Sequence, residues 1–174
     1  MRSPIVPRRY GFAGLVLLAG WLLLIPGAGA CSSENNDCTE LQCINNVTLR
    51  LRVTLPADQM TGTSLQVCRN GSCSEGKVDA VPTVRGEKRT VLLAGGVPND
   101  TTLDVAEAGQ SYSVEAIIPI DDFQVDKAND KYELRVRRGS TEVKGLSERA
   151  NYQETHPNGE NCPSVCTNAT IGTL

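Results

Sequence analysis

Seven cysteines constrain the fold of this 174-residue chain more than any other feature. One of them, Cys31, stands alone directly after an apolar N-terminal run. The other six form three closely spaced pairs: Cys38 and Cys43, Cys68 and Cys73, and Cys162 and Cys166. Exported proteins seldom keep an odd thiol in an oxidising compartment, so the even set of six predicts three disulfides in an exported chain.

The first 30 residues have the three parts of a secretory signal peptide. Arg2, Arg8 and Arg9 provide a positive start, and residues 12–25 form an uncharged apolar run that ends at Pro26. A membrane-spanning helix needs roughly 20 apolar residues, so this run is too short to be a typical span. We therefore predict that residues 1–30 are cleaved during export.

The residues before Cys31 are compatible with two signal peptidases. Ala28-Gly29-Ala30 satisfies the small-x-small rule of the ordinary enzyme, and with Cys31 it resembles a loose bacterial lipobox. Lipidation of Cys31 leaves six cysteines to pair, and Ser32 after it favours the outer membrane. Residues 31–37 are then the lipidated cysteine with a flexible tether. The alternative is a freely secreted protein whose Cys31 thiol is free or shared between two chains.

Composition limits the rest of the mature chain to one acidic domain, residues 38–174. The signal holds three of the 17 basic residues and none of the 20 acidic ones, so the mature net charge is about −6. Such a surface repels nucleic acid. Aromatic residues make up 4% of the chain, so the core must be built mainly from Val, Leu and Ile.

Alternating hydrophobicity indicates strands throughout this domain. Residues 47–55 place Val and Leu on one side and Thr and Arg on the other, which is typical of a half-buried strand. Further strands are expected at residues 78–84, 89–93, 102–105, 112–120, 132–137 and 141–144. No stretch has sustained helical periodicity. The predicted fold is all-β, an antiparallel immunoglobulin-like β-sandwich stabilised by disulfides.

Asn70-Gly71 predicts a tight hairpin, because this dipeptide suits a two-residue type I′ turn. In such a turn, Cys68 and Cys73 face each other as the first non-hydrogen-bonded pair, where a disulfide can close. For the four terminal cysteines we expect two bridges that join the ends of the domain. Nested pairing, Cys38 with Cys166 and Cys43 with Cys162, is favoured over the crossed alternative.

The two ends carry a resemblance to a known group. Cys38-Thr-Glu-Leu-Gln-Cys43 leads into an alternating strand, and Tyr152 precedes Pro157-Asn158-Gly159 and the closing Cys162-Pro-Ser-Val-Cys166. In these features the chain resembles small predicted lipoproteins of myxobacteria. The resemblance implies a lipoprotein with a β-sandwich, and no established activity comes with it.

Catalytic and metal-binding residues are sparse. His156, the only histidine, lies in a Pro-Gly-rich stretch, so we expect an exposed loop residue rather than a catalytic base. The cysteine spacings favour disulfides over zinc. The weak calcium candidates, near Asn129, are the carboxylates of Asp121, Asp122, Asp126 and Asp130.

Four Asn-x-Ser/Thr sequons, at Asn46, Asn70, Asn99 and Asn168, are compatible with a glycosylated eukaryotic secreted protein. Our main expectation is a bacterial envelope lipoprotein without catalysis or cofactor. Its β-sandwich acts as a binding or structural module toward an unknown protein or glycan. The alternative is a secreted carbohydrate- or calcium-binding β-domain without a lipid anchor.

Overall fold

The computed structural model describes residues 43–98, 100–121, 125–160, 162 and 164–174. The predicted signal peptide, residues 1–30, lies outside the described residues, as do Cys31, the tether to residue 37, and Cys38. All described residues belong to one unit, which spans Asn35–Leu174.

Strands dominate the described residues, as predicted. One short helix, α1 (Ala57–Met60), follows the first strand. The strands are β1 (Asn46–Val53), β2 (Ser64–Arg69), β3 (Ser72–Lys77), β4 (Lys88–Thr90), β5 (Ala94–Gly95), β6 (Thr102–Glu107), β7 (Tyr112–Pro119), β8 (Lys131–Arg138), β9 (Thr141–Arg149), β10 (Gln153–Thr155) and β11 (Cys166–Ile171). No helix in these ranges is both long and apolar enough to cross a membrane.

The strands form two sheets in a sandwich-like arrangement. The six-stranded sheet has the order β10-β11-β1-β7-β6-β4, and the five-stranded sheet has the order β5-β3-β2-β8-β9. Buried residues of both sheets belong to a single hydrophobic cluster. This confirms the predicted mostly-β, two-sheet, disulfide-stabilised architecture.

Strand β1 shows why the alternating pattern produces this fold. Val47, Leu49, Leu51 and Val53 are buried, whereas Arg52 on the opposite face is exposed. Each buried Val or Leu stabilises the fold by roughly 1.5–3 kcal/mol relative to an exposed one. A one-residue slip of register would expose all four at once, so the pattern fixes the register of β1.

One strand pair contradicts the prediction of a purely antiparallel sandwich. β1 pairs with β11 in parallel, with Asn46 opposite Asn168 and Leu49 opposite Ile171. The sequence analysis did not predict β11, because the tail is rich in turn residues and has no alternating pattern. This strand forms through its pairing with β1, which no local sequence signal indicates. The first and last strands therefore run in the same direction.

This parallel pairing decides how the terminal cysteines combine. Cys43 is bonded to Cys166, with 5.1 Å between the Cα atoms, so the nested pairing that we predicted is wrong. Nested pairs require segments that run in opposite directions, whereas β1 and β11 run in the same direction. Cys162 is also disulfide-bonded, and its partner lies outside the described residues. The same geometry predicts that this partner is Cys38.

The predicted Cys68–Cys73 bridge is confirmed. The two cysteines face each other across the β2–β3 hairpin, with 4.0 Å between their Cα atoms. Asn70 (φ 51°) and Gly71 (φ 85°) both adopt the left-handed conformation that a type I′ turn requires. The local sequence alone therefore specified this hairpin.

Three other predicted strands differ from the structure in their existence or length. Residues 78–84 form no strand. Val78 exchanges backbone hydrogen bonds with Gly62 and Thr63, but the pairing does not continue, and Pro82 lacks the N–H that a strand needs. The strand predicted at 89–93 is shorter and ends at Thr90. The strand predicted at 141–144 continues to Arg149 as β9.

Candidate functional site

The acidic loop that was the calcium candidate is held together by its own hydrogen bonds. Asp126 Oδ1 accepts hydrogen bonds from the backbone N–H groups of Ala128 and Asn129, both at 3.1 Å. Asp126 Oδ2 accepts one from the Asn129 side chain at 2.9 Å. These bonds, led by that of the Asn129 side chain, lower the pKa of Asp126. Both carboxylate oxygens are therefore engaged by donors of the protein itself.

Asp130 lies at the centre of a polar network, with only 2% of its surface exposed. Its carboxylate accepts hydrogen bonds from Asn70 Nδ2 (2.6 Å), the Tyr152 hydroxyl (2.7 Å), Arg69 Nη2 (3.1 Å) and the Asp126 N–H (3.1 Å). The network joins the β2–β3 turn, the start of β8 and the segment before β10. It fastens three parts of the domain that are distant in sequence.

The electrostatics of this network favour an ionised carboxylate. Burial by itself raises the pKa of Asp130, but hydrogen bonds from Asn70, Tyr152 and Arg69 outweigh it, and the pKa lies below its ordinary value. Burial, followed by hydrogen bonds to Tyr132 and Asp130, raises the pKa of Tyr152 far above its ordinary value. Tyr152 therefore remains a neutral donor. The arrangement stabilises a fixed negative charge at Asp130.

The calcium candidates that the structure describes do not come together in one metal-binding cluster. Asp121 is exposed, and Asp122 lies outside the described residues. Within the described ranges, no cluster of three or more His, Cys, Asp or Glu residues is arranged to hold a metal ion. Calcium at Asp126 and Asp130 would have to compete with seven hydrogen bonds that the protein donates to their oxygens, three at Asp126 and four at Asp130.

The histidine and the sequons also serve local structure. His156 is exposed, as predicted, and its carbonyl accepts a hydrogen bond from Gly159 in a turn. Both polar atoms of the Asn70 side chain are hydrogen-bonded: Nδ2 donates to Asp130, and Oδ1 accepts a hydrogen bond from the Lys131 N–H at 2.8 Å. Asn168 Oδ1 accepts a hydrogen bond from the Asn46 N–H at 3.2 Å. Asn99 lies outside the described residues.

A surface ridge that the sequence did not predict is the better candidate site. Leu92 has 88% of its surface exposed, more than any other large apolar residue in the described ranges. The Leu92 ridge, residues 90–92, separates a cleft of about 280 Å³, bounded also by Val97 and Asp100, from a cleft of about 310 Å³, bounded also by Lys77 and Asp79. An apolar side chain between two mixed-polarity clefts suits a surface that binds a partner.

Close backbone packing holds the Leu92 ridge in place. A Cβ atom at Gly76 would lie 2.4 Å from the Leu92 carbonyl oxygen, so only glycine at this position of β3 lets the ridge approach. Val91, in the middle of the ridge, is buried and donates its N–H to the Leu103 carbonyl at 2.7 Å. Leu92 is therefore exposed on a well-fixed segment.

One polar atom in the 280 Å³ cleft is unusual. Thr101 lines the 280 Å³ cleft, and its hydroxyl is buried without a hydrogen-bond partner in the described structure. Unsatisfied buried polar groups are rare in native proteins and call for an explanation, which a functional site can supply. Sequence analysis placed residues 89–93 in a regular strand and so missed this region; its only signal was the run Val91-Leu92-Leu93, which does not alternate.

The chain was also compared with known proteins. No family model, curated protein or solved structure matches it.

Proposed function

We propose that this protein is a bacterial envelope lipoprotein of the kind its ends resemble, anchored through Cys31 in the outer membrane. Its domain, residues 38–174, acts as a binding module without catalysis. We further propose that the domain is immunoglobulin-like. Two sheets that share one core support this assignment, and the parallel β1–β11 pair is a variation on the antiparallel arrangement.

The observation that carries this proposal is the disulfide between Cys43 and Cys166. It joins residues 123 positions apart, and Cys68–Cys73 and the bonded Cys162 accompany it. Such a set of structural disulfides is typical of proteins outside the reducing cytosol. With all six domain cysteines assigned to bridges, Cys31 is the one left for a lipid. The export signal in residues 1–30 agrees with this assignment.

Mass spectrometry of the mature N-terminus tests the anchor. We expect a chain that begins at Cys31 and carries three acyl chains, because stable anchoring needs more than one lipid chain. Replacing Cys31 by serine should abolish the added mass and release the protein from membranes. An exported chain that begins at an unmodified Cys31 would refute the anchor and favour a secreted protein.

The Leu92 ridge is the surface that we propose for binding. A well-packed apolar anchor accounts for much of the affinity of protein interfaces, and an exposed leucine between two clefts provides one. The clefts carry both charged and apolar groups, including Lys77, Asp79 and Asp100, which suits a protein partner. The domain would then hold this partner close to the membrane.

Changing Leu92 should separate binding from folding. A photo-reactive residue at position 92 should give a discrete adduct in isolated cell envelopes, and an excess of the unmodified purified protein should compete with its formation. The Leu92→Asp protein should compete at least about tenfold less well, as expected for loss of an interface anchor. Its thermal unfolding should be unchanged because the side chain is already 88% exposed.

Val84 provides a matched control, since it is apolar and 64% exposed but borders neither cleft. The Val84→Asp protein should compete as well as the unmodified one. Equal competition by the Leu92→Asp protein would rule out the ridge as the binding surface.

A further inference from the structure

We propose that strand β9 of one copy pairs antiparallel with β9 of a second copy, which makes the protein a dimer with a sheet that continues across both copies. β9 forms one edge of the five-stranded sheet and is nine residues long. The other three edge strands in the described residues, β4, β5 and β10, have only two or three residues. β9 is therefore the one long edge in this part of the chain.

The exposure of β9 is unusual for a strand of this length. Eight of its nine residues are exposed, and Leu146 is the one that is partly buried. An edge strand presents backbone N–H and C=O groups that a further strand can pair with. Lys144 and Glu148 are both exposed, and neither has an ion-pair partner in the described structure. These two charges are thus available for a second strand.

The charge pattern of β9 selects one register for self-pairing. A two-fold axis perpendicular to the sheet places the same face of both β9 strands on the same side of the continued sheet. Residues that lie opposite each other across the two strands are therefore both even-numbered or both odd-numbered. With Leu146 opposite the second copy's Leu146, Lys144 lies opposite Glu148, and this pair occurs twice. Opposite charges that face each other across strands are stabilising.

Neighbouring registers lack this complementarity. With Gly145 at the centre, Lys144 would face Leu146 twice, and with Lys144 at the centre, two lysines would face each other. With Ser147 at the centre, Glu148 would face Leu146. Charged side chains on an edge strand ordinarily prevent pairing because a partner strand leaves them without a counter-charge. The Leu146-centred register gives Lys144 and Glu148 a counter-charge each. The segment that it pairs, residues 144–148, ends just before the β8–β9 irregularity, which leaves Val143 without a partner on β8.

Zero-length carbodiimide cross-linking of the full chain in detergent tests the contact directly. Lys144 and Glu148 of one chain lie four residues apart on an extended strand, about 13 Å, which a zero-length bond cannot span. We therefore expect a dimer band whose cross-linked peptide joins Lys144 to Glu148. Failure to find this cross-link in a protein that remains folded would overturn the proposal.

Charge reversal with sedimentation analysis tests the register. Lys144→Glu and Glu148→Lys should each weaken dimerisation at least about tenfold, because two attractive pairs become two repulsive ones. The double variant Lys144→Glu/Glu148→Lys should restore both the dimer and the cross-link. Lys77→Glu, the same charge change on β3 of this sheet, should leave the dimer intact.

Far-UV circular dichroism should show that all four variants are folded, as expected for exposed positions. A double variant that dimerises no better than the two single variants would overturn the Leu146-centred register. Single variants that dimerise as well as the unmodified protein would overturn the proposal itself.

Discussion

Replacing Cys38, Cys43, Cys162 and Cys166 together by alanine should lower the free energy of unfolding by about 7 to 8 kcal/mol. Cys43 and Cys166 are bonded, and Cys38 is the predicted partner of Cys162. In the chain-entropy account, the first bridge to close a loop of more than 100 residues contributes about 5 kcal/mol. The second then closes a ring of only about ten residues and contributes about 3 kcal/mol more.

This reasoning makes the two end bridges non-additive, which a set of variants can measure. Removing only Cys43 and Cys166 should cost about 3 kcal/mol, because the other bridge still holds the ends together. Removing Cys68 and Cys73, which are five positions apart, should cost about 2 kcal/mol and serves as the local-bridge control. Urea unfolding at fixed pH, followed by circular dichroism, gives all three free energies.

The same unfolding free energies test whether Cys162 is bonded to Cys38. If the Cys43/Cys166 variant loses about 5 kcal/mol and the four-cysteine variant loses no more, Cys162 does not bridge to Cys38. Non-reducing peptide mapping should identify a Cys38–Cys162 peptide directly. The parallel direction of β1 and β11 is the reason to expect it.

The strands that could be predicted from sequence were those with local signals. The alternation in β1 and β8 and the Asn70-Gly71 turn each determine a conformation through neighbouring residues, so their positions and the Cys68–Cys73 bridge followed. β11 has no such signal. Its direction depends on pairing with β1, more than 100 residues earlier, and the wrong cysteine pairing followed from the missing strand.

The candidate sites were less predictable because they depend on how distant segments pack. Asp130 appeared in the sequence as one of several loop carboxylates, yet Arg69, Asn70 and Tyr152 surround it. Nothing in the local sequence links these residues. Leu92 likewise fell within the strand predicted at residues 89–93, whereas it is exposed in the connection between β4 of one sheet and β5 of the other.

Replacing Asp130 by asparagine should lower the free energy of unfolding by about 3 to 5 kcal/mol at neutral pH, the usual cost of removing one partner from a buried ion pair. The side chain keeps its size but loses its charge. The guanidinium of Arg69, which also lies over the Tyr132 ring at 5.9 Å, then loses the Asp130 carboxylate. Both side chains are largely buried, with 12% of Arg69 and 1% of Asp130 exposed, so water replaces the lost interaction poorly.

Glu115 provides the matched control, because it pairs with Arg50 at 2.9 Å and Lys88 at 3.4 Å on the outer surface. Glu115→Gln should cost about 1 kcal/mol or less, as is usual for solvent-exposed ion pairs. A loss for Asp130→Asn no greater than that for Glu115→Gln would contradict a structural role for the buried network.

The effect of Asp130 should also depend on pH in one direction. Because the network lowers the pKa of Asp130 in the folded protein, its contribution is fully present above the unfolded-state pKa of about 3.9. It is lost as the pH falls through the lower, folded-state value. The stability difference between the unmodified protein and Asp130→Asn should therefore be constant from about pH 5 to pH 7 and shrink below about pH 4. Urea unfolding of both proteins across this range measures it, and a difference that grows on acidification would mean that folding raises the pKa of Asp130.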